Sequence, residues 1–292
     1  MNGRPRWRGE TRPLDDTARK DAEGSFIRLA RGYTHFEMPT SPRARHVVLI
    51  HGFSVPYFIW DPTFPALVKA GHCPIRYDLY GRGYSERPRL AYGIDLFVQQ
   101  LDQLVGALGL TSVDLVALSM GAPIAAAFTV LYPTRVRKLV LIAPTGVHPV
   151  DLGRLYSLAI LPGISDLVFR CAGNEYMLGS IARDFFDPSL VDIFRERYRI
   201  QMEFHGFRRA ILSSVRNHML GSFSETYLSL GKLGKPTLLI WGQNDTTVPF
   251  EHSRTLLQLL PDAELVALPH CGHVPHFERP DLVNPPLVAF LD

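Results

Sequence analysis

The amino-acid sequence predicts an α/β fold, with a mostly parallel central sheet, helices on both of its faces, and a helical segment inserted late in the chain. Three observations point there. From His46 onward, short apolar runs of strand character alternate with runs of helical periodicity. Strand-then-helix order implies right-handed crossovers between parallel strands, and such a sheet is covered on both faces. The alternation stops after Ala143 and resumes at Thr237, so a different kind of structure is inserted between.

Taken in order, residues 1–24 are polar and charged, contain Pro5, Pro13 and Gly24, and lack a sustained apolar period. They read as a loose arm with room for one short helix, and no function is assigned to them. Phe26 to Ala30 and Tyr33 to Met38 read as short strands about a turn at Gly32, and Pro39 to Arg45 as a loop. His46 to Ile50 is a buried strand. Then follow helix Phe64 to Ala70, strand Cys73 to Asp78, helix Ile94 to Leu108, strand Val113 to Leu118, helix Pro123 to Leu131 and strand Lys138 to Ile142. Residues 148–231 are rich in aromatics, arginine and helix-compatible runs such as Leu190 to Met202 and Phe207 to Leu220. Strand Thr237 to Trp241, a helix near His252 to Leu260 and strand Glu264 to Leu268 complete the sheet. The expected division is an arm over 1–24, a core over 25–147 and 232–292, and a helical insertion over 148–231.

Composition narrows the function classes. With 292 residues, 46% hydrophobic and 20% charged, the chain is an ordinary globular one rather than a disordered or fibrous one. A formal charge of +3 is too small for a whole-chain electrostatic case for nucleic acid. Cys73, Cys171 and Cys271 lie far apart and suggest no disulfide framework; with no apolar stretch after Arg4, Arg6, Arg8 and Arg12 to form a secretory signal, a cytoplasmic location is expected. The uncharged run Leu115 to Tyr132 reaches the lower limit for a membrane span, but it divides into strand, small-residue turn and alanine-rich buried helix. No membrane anchor is expected.

The chemistry centres on Ala117-Leu118-Ser119-Met120-Gly121, between an apolar strand and an alanine-rich helix, where a nucleophile elbow is placed. A serine on such a tight turn needs small neighbours two residues to either side, which Ala117 and Gly121 provide, although the usual pattern has glycine at both positions. Serine is a poor nucleophile until a positioned base takes its proton, so a histidine oriented by a carboxylate is expected downstream. Asp245 follows the strand ending at Trp241, and His273 follows the strand ending at Leu268, both at the carboxyl edge where ligands gather in open α/β sheets. Gly272 and Pro275 bracket His273, so it is preferred as the base over His270 and His276, which are expected to support the loop. With Cys271 these histidines crowd into seven residues with no second cluster, which is not zinc-site spacing, and no metal is expected. Acyl transfer also needs donors for the developing oxyanion, and the backbone amides of Phe53, in His51-Gly52-Phe53-Ser54, and of Met120 are the candidates. Gly81 and Gly83 permit a tight loop from Asp78 to Ser85, with Asp78 and Arg82 placed to pair or cap it.

With these five motifs in this order, His51-Gly52-Phe53, Tyr77 to Ser85, the Ser119 elbow, Trp241-Gly242 through Pro249, and Gly272-His273-Val274-Pro275-His276, residues 25–292 resemble the α/β-hydrolase superfamily in its serine esterase and lipase branch. The resemblance implies Ser119 as nucleophile, Asp245 as acid, His273 as base and a helical cap over the site. It implies a structural role for the 78–85 loop and an anchoring role for Glu278, whose carboxylate is the substitute acid if Asp245 is not the one. Serine at 119 rather than aspartate argues against the dehalogenase and epoxide hydrolase relatives.

The expected activity is therefore cofactor-free hydrolysis of a small-molecule carboxylic ester through an acyl-enzyme. The alternatives are carbon–carbon bond hydrolysis of a vinylogous diketone by the same triad, and a silent small-molecule receptor on the same scaffold. Phe185, Phe186, Met202, Phe204, Phe207 and Met219 are candidates for an apolar acyl pocket, or for the insertion's own core. Oligomeric state is not legible.

Overall fold

A computed structural model describes residues 9–40, 45–150 and 173–292. Its centre is an eight-stranded sheet built from β1 (Ser25–Leu29), β2 (Gly32–Glu37), β3 (His46–Ile50), β4 (Cys73–Tyr77), β5 (Val113–Leu118), β6 (Val136–Ile142), β7 (Thr237–Gly242) and β8 (Glu264–Leu268). The spatial order is β1-β2-β4-β3-β5-β6-β7-β8. The β1–β2 hairpin and its junction with β4 are antiparallel, whereas every pairing from β4 through β8 is parallel. The expected fold class is the observed one, and strand bounds agree within two residues.

The strands are apolar in nearly every position because the sheet buries both faces. Side chains alternate across the pleat. Val48, Ile50, Leu115, Ala117, Leu139, Leu141, Leu239 and Trp241 join one core with Phe97, Leu101, Leu104 and Phe128. Those last four come from helices α3 (Ile94–Ala107) and α4 (Gly121–Leu131). Val47, Leu49, Val116, Leu118, Val140, Ile142, Leu238 and Ile240 join the other core, with Trp60, Leu67, Leu287 and Leu291. On that face lie α2 (Phe64–Lys69) and the C-terminal helix Pro280–Leu291. The C-terminal helix was not anticipated, since Pro285 and Pro286 stand inside it. Its buried Val283, Leu287 and Leu291 hold it to the sheet despite the missing N–H groups.

Strand order decides where a site forms. From β3 the chain turns to β4 on one side, then crosses back over to β5 on the other. The loops after β3 and β5 therefore diverge at a switch point and leave a crevice at the carboxyl edge. Between β6 and β7 the described residues form a helix over 173–180, then Val191–Met202, Phe207–Arg216 and Ser224–Gly231. The run expected to continue to Leu220 ends at Arg216, where Asn217 turns its side-chain amide back onto the Ser213 carbonyl. Much of the expected insertion, 151–172 with Cys171, lies outside the described residues, as do Arg4, Arg6 and Arg8.

The described part of the arm, from residue 9, is tied to the rest of the protein. Asp15 caps a short helix, Asp16–Lys20, and the Glu10 carboxylate accepts the N–H groups of Gly206 and Arg208 at the start of the Phe207–Arg216 helix. Arg12 and Phe204 form a parallel bridge. Among the described residues no helix is long and apolar enough to cross a membrane.

Candidate active site

Ser119 leaves β5 with φ of 52°, in the left-handed region that a serine adopts only when its surroundings impose it. Its N–H donates to the Ile142 carbonyl of the neighbouring strand, and its carbonyl accepts from Ala122, in the first turn of α4. The helix starts at Gly121, two residues before the expected Pro123, because the elbow passes directly into helical turns. Gly121 is obligatory: a Cβ there would stand 2.5 Å from the Ile50 carbonyl oxygen, a backbone atom that cannot rotate away. Gly121→Ala is expected to cost roughly 1–3 kcal/mol by overpacking, measured by denaturant unfolding. Ala117 needs no such freedom, because it is an in-line strand residue paired with Ile50 and Leu141.

Asp245 and His273 come from the loops after β7 and β8 and meet as expected. His273 Nδ1 lies 2.8 Å from Asp245 Oδ2, while Asp245 Oδ1 accepts the N–H groups of Thr247 and Val248 at 2.8 Å each. A carboxylate with three such partners is fixed in orientation, and it places the imidazole proton on Nδ1, leaving Nε2 as the acceptor. Burial opposes charge on His273, yet the Asp245 carboxylate outweighs it, with Asp184 adding to the effect, and the pKa lies above its ordinary value of 6.5. The loops are pressed together by two glycines. A Cβ on Gly242 would fall 2.2 Å from the Gly272 carbonyl oxygen, and one on Gly272 would fall 2.6 Å from that of Asp184.

Ser119 and His273 line one cavity of about 110 Å³ together with Gly52, Phe53, Leu118 and Thr145. Residues between β6 and β7 close it: Tyr176, Met177, Ser180, Arg183, Asp184 and Leu220. The Phe53 and Met120 N–H groups, one at the wall of this cavity and one following Ser119, have no hydrogen-bond acceptor among the described residues. His51 is buried and held neutral, its pKa pushed down to about 4 by desolvation. The Leu79 N–H donates to its Nε2 at 2.9 Å, so its Nδ1–H donates to the Gly52 carbonyl, also at 2.9 Å.

Where the sequence left two readings open, the structure distinguishes them. Phe185, Phe186, Met202, Phe204, Phe207 and Met219 do not line the cavity. Phe185, Met202, Phe204, Phe207 and Met219 are buried in the protein interior and Phe186 is exposed, so these side chains pack the helices rather than shape the site. Asp78 and Arg82 do not pair. Asp78 accepts from His35 Nδ1 and the Tyr57 and Tyr84 N–H groups, whereas Arg82 reaches the other way, to Phe53, Tyr80 and Ser214. Glu278 stands clear of the His273 imidazole as a hydrogen-bond partner. Its carboxylate accepts the Phe186, Asp187 and Gly272 N–H groups and staples two loops. His276 is fully buried against Trp60, with ring centroids 4.6 Å apart, and His270 N–H donates to Asn244, so both belong to loop structure. Among the described residues no group of three metal-ligating side chains occurs.

Arg183 and Asp184 were missed. No local pattern marks them, because they approach His273 only through the contact between the Asp184 carbonyl and the His273 N–H at 2.8 Å. Burial pushes the Asp184 carboxyl above the usual carboxylate range, a shift that its hydrogen bond from Thr247 only partly offsets.

Comparison with known proteins places this geometry. A family profile described as "Alpha/beta hydrolase family" matches residues 47–285. The chain is 29% identical to the 2-hydroxy-6-oxo-2,4-heptadienoate hydrolase of Pseudomonas putida, over 80% of this chain and 84% of that one. It is 30% identical to the 2-hydroxymuconate semialdehyde hydrolase of a Pseudomonas species, over 80% and 82%. Among solved structures, a meta-cleavage product hydrolase from Pseudomonas fluorescens superimposes with a TM-score of 0.77 at 26% identity, covering 92% of this chain and 97% of that one. The profile spans well over half the chain, and the relatives align nearly end to end, so the chain belongs to the alpha/beta hydrolase family and is a serine-type hydrolase.

Proposed function

We propose that the protein hydrolyses a carbon–carbon bond in a small vinylogous 1,5-diketone acid, the enol form of which is a 2-hydroxy-6-oxo-dienoate. This moves the expected ester hydrolysis to second place. The observation that carries the reading is that relatives aligned over 80% of the chain are named for such substrates. In this reading the helices between β6 and β7 act as a cap over the site.

What supports these steps is that Ser119 and His273 line the same cavity and that His273 is oriented by Asp245. His273 Nε2 takes the proton of Ser119 Oγ, which adds to the 6-oxo carbon, and the resulting oxyanion accepts from the Phe53 and Met120 N–H groups. The bond from that carbon to C5 then breaks. Its electron pair leaves on C5, delocalised into the 2-oxo acid end, and C5 receives a proton from the His273 imidazolium. Water, deprotonated by His273, releases the acyl group from Ser119 as a carboxylic acid and restores the serine. The substrate carboxylate needs a cation, and Arg183 lines the cavity with a guanidinium whose described contact is the Thr246 carbonyl.

Arg183→Ala is therefore expected to raise KM for the dienoate about 10-fold or more and to leave KM for a neutral short aryl ester nearly unchanged. The deciding measurement is loss of the dienolate absorbance with purified enzyme. Turnover of aryl esters alongside an inert dienoate would assign the ester reading instead.

A further inference from the structure

The loop carrying the Phe53 N–H has three successive carbonyls, and each is held by a different buried side chain. Gly52 O accepts from His51 Nδ1 at 2.9 Å, Phe53 O from Arg82 Nε at 2.8 Å, and Ser54 O from Gln201 Nε2 at 2.7 Å. A trans peptide is planar, so its N–H points opposite its C=O. Fixing these carbonyls therefore fixes the direction of the N–H groups of Phe53, Ser54 and Val55, all of which lie at the cavity wall.

Two of the three holders reach this loop from, or are tied to, the helices between β6 and β7. Gln201 sits on the Val191–Met202 helix, is 2% exposed, and also accepts the Gly83 N–H through Oε1 at 3.0 Å. Arg82 is fully buried, and its remaining bonds go to the Tyr80 carbonyl and to Ser214 Oγ, on the Phe207–Arg216 helix, at 2.9 Å. Among the described residues it has no carboxylate partner within salt-bridge distance. A buried guanidinium is expensive to desolvate, and here its hydrogen bonds go to neutral oxygens, one of them on the oxyanion loop. Simple packing does not call for a cation at that point.

We propose that Arg82 and Gln201 are positioning residues that clamp the two peptides following Phe53, so that the Phe53 N–H, whose own peptide His51 holds through the Gly52 carbonyl, stays aimed at the reacting carbonyl only when the helices bearing Gln201 and Ser214 are seated. The proposal rests on the assignment of Phe53 as an oxyanion donor and of Ser119 as nucleophile. Neither side chain touches the substrate. Their effect is on transition-state geometry, where the loss of one donor is worth about 10²–10³ in rate, and a misplacement of about 1 Å about 10².

The test compares wild type with Gln201→Met, which keeps length and apolar volume but neither donates to Ser54 nor accepts from Gly83. Arg82→Lys keeps the charge but cannot serve Phe53, Tyr80 and Ser214 together, and it decides the matter if Gln201→Met does not accumulate as folded protein. Kinetics are measured on the dienoate, or on a short aryl ester if the dienoate is inert, together with inhibition by an alkyl trifluoromethyl ketone, whose serine adduct carries an oxyanion. The expected result is a kcat lower by about 10-fold or more, KM within about 3-fold, and inhibition by the ketone weakened in parallel with kcat. Unchanged kcat and ketone affinity, or a loss confined to KM, overturns the proposal. Ser119→Ala assayed alongside separates the two levels. If that variant stays active the nucleophile assignment fails, whereas an inert Ser119→Ala beside an unaffected Gln201→Met removes only the positioning role.

Discussion

Ser119→Ala is expected to reduce kcat by about 10⁶, to the level of background hydrolysis, with a near-native thermal transition. The magnitude follows from the chemistry: without the hydroxyl no acyl-enzyme forms, and His273 and Asp245 lose their purpose together rather than by separate increments. The structural effect is small because alanine removes one oxygen from a residue that already lines a cavity, and the elbow is held by backbone bonds to Ile142 and Ala122 that any residue makes. Kinetics and a melting curve on the same preparation check both halves. Activity within tenfold of wild type would show that the strained serine is not the nucleophile.

Asp245→Asn is expected to lower kcat by about 10⁴ and to move the acid limb of the pH profile. Asparagine can present an N–H where the carboxylate presented an acceptor, which favours the wrong imidazole tautomer for accepting a proton at Nε2. The pH shift has a definite sign. In wild type the His273 pKa is raised, burial being outweighed by Asp245 and then Asp184, so kcat/KM falls as pH drops through a value above 6.5. Removing the Asp245 charge leaves burial as the dominant influence, and the acid limb of the residual activity moves to lower pH. Stability runs the other way. Because the folded pKa is raised, protonated His273 contributes stability that is complete below pH 6.5 and is lost as pH rises through the folded value. Melting temperatures of wild type and Asp245→Asn across pH 5.5 to 9 should therefore converge as pH rises; parallel curves would refute the coupling.

Much of this was legible in the linear chain because it is written in local terms. A strand buried on both faces is apolar along most of its length, so β3 and β5 were bounded to the residue, and the apolar run of the edge strand β8 was bounded as closely. The elbow and the Asp245 and His273 loops are likewise marked by short motifs, although the atoms that demand glycine at 121, 242 and 272 belong to Ile50, Gly272 and Asp184, far away along the chain. What stayed open were residues whose type fits two environments. The phenylalanines and methionines of 185–219 suit a helical core more often than a pocket, and packing directed Phe185, Phe207 and Met219 inward. Asp78 and Arg82 were placed to pair or to cap their loop, and only the structure decides for capping: Asp78 accepts the Tyr84 N–H and Arg82 donates to the Tyr80 carbonyl.

Fold class, strand positions and the candidate site residues Ser119, Asp245 and His273 could be read from residue order, because hydrophobic period and short glycine-bracketed motifs act over a few residues at a time. The cavity's walls did not. Arg183, Asp184, Gln201 and Glu10 act on partners 63 to 198 residues away, where selection is for a matching surface rather than for a pattern along the chain. Which helix face meets which loop is settled when the whole core packs at once, and the environment of the serine is set there.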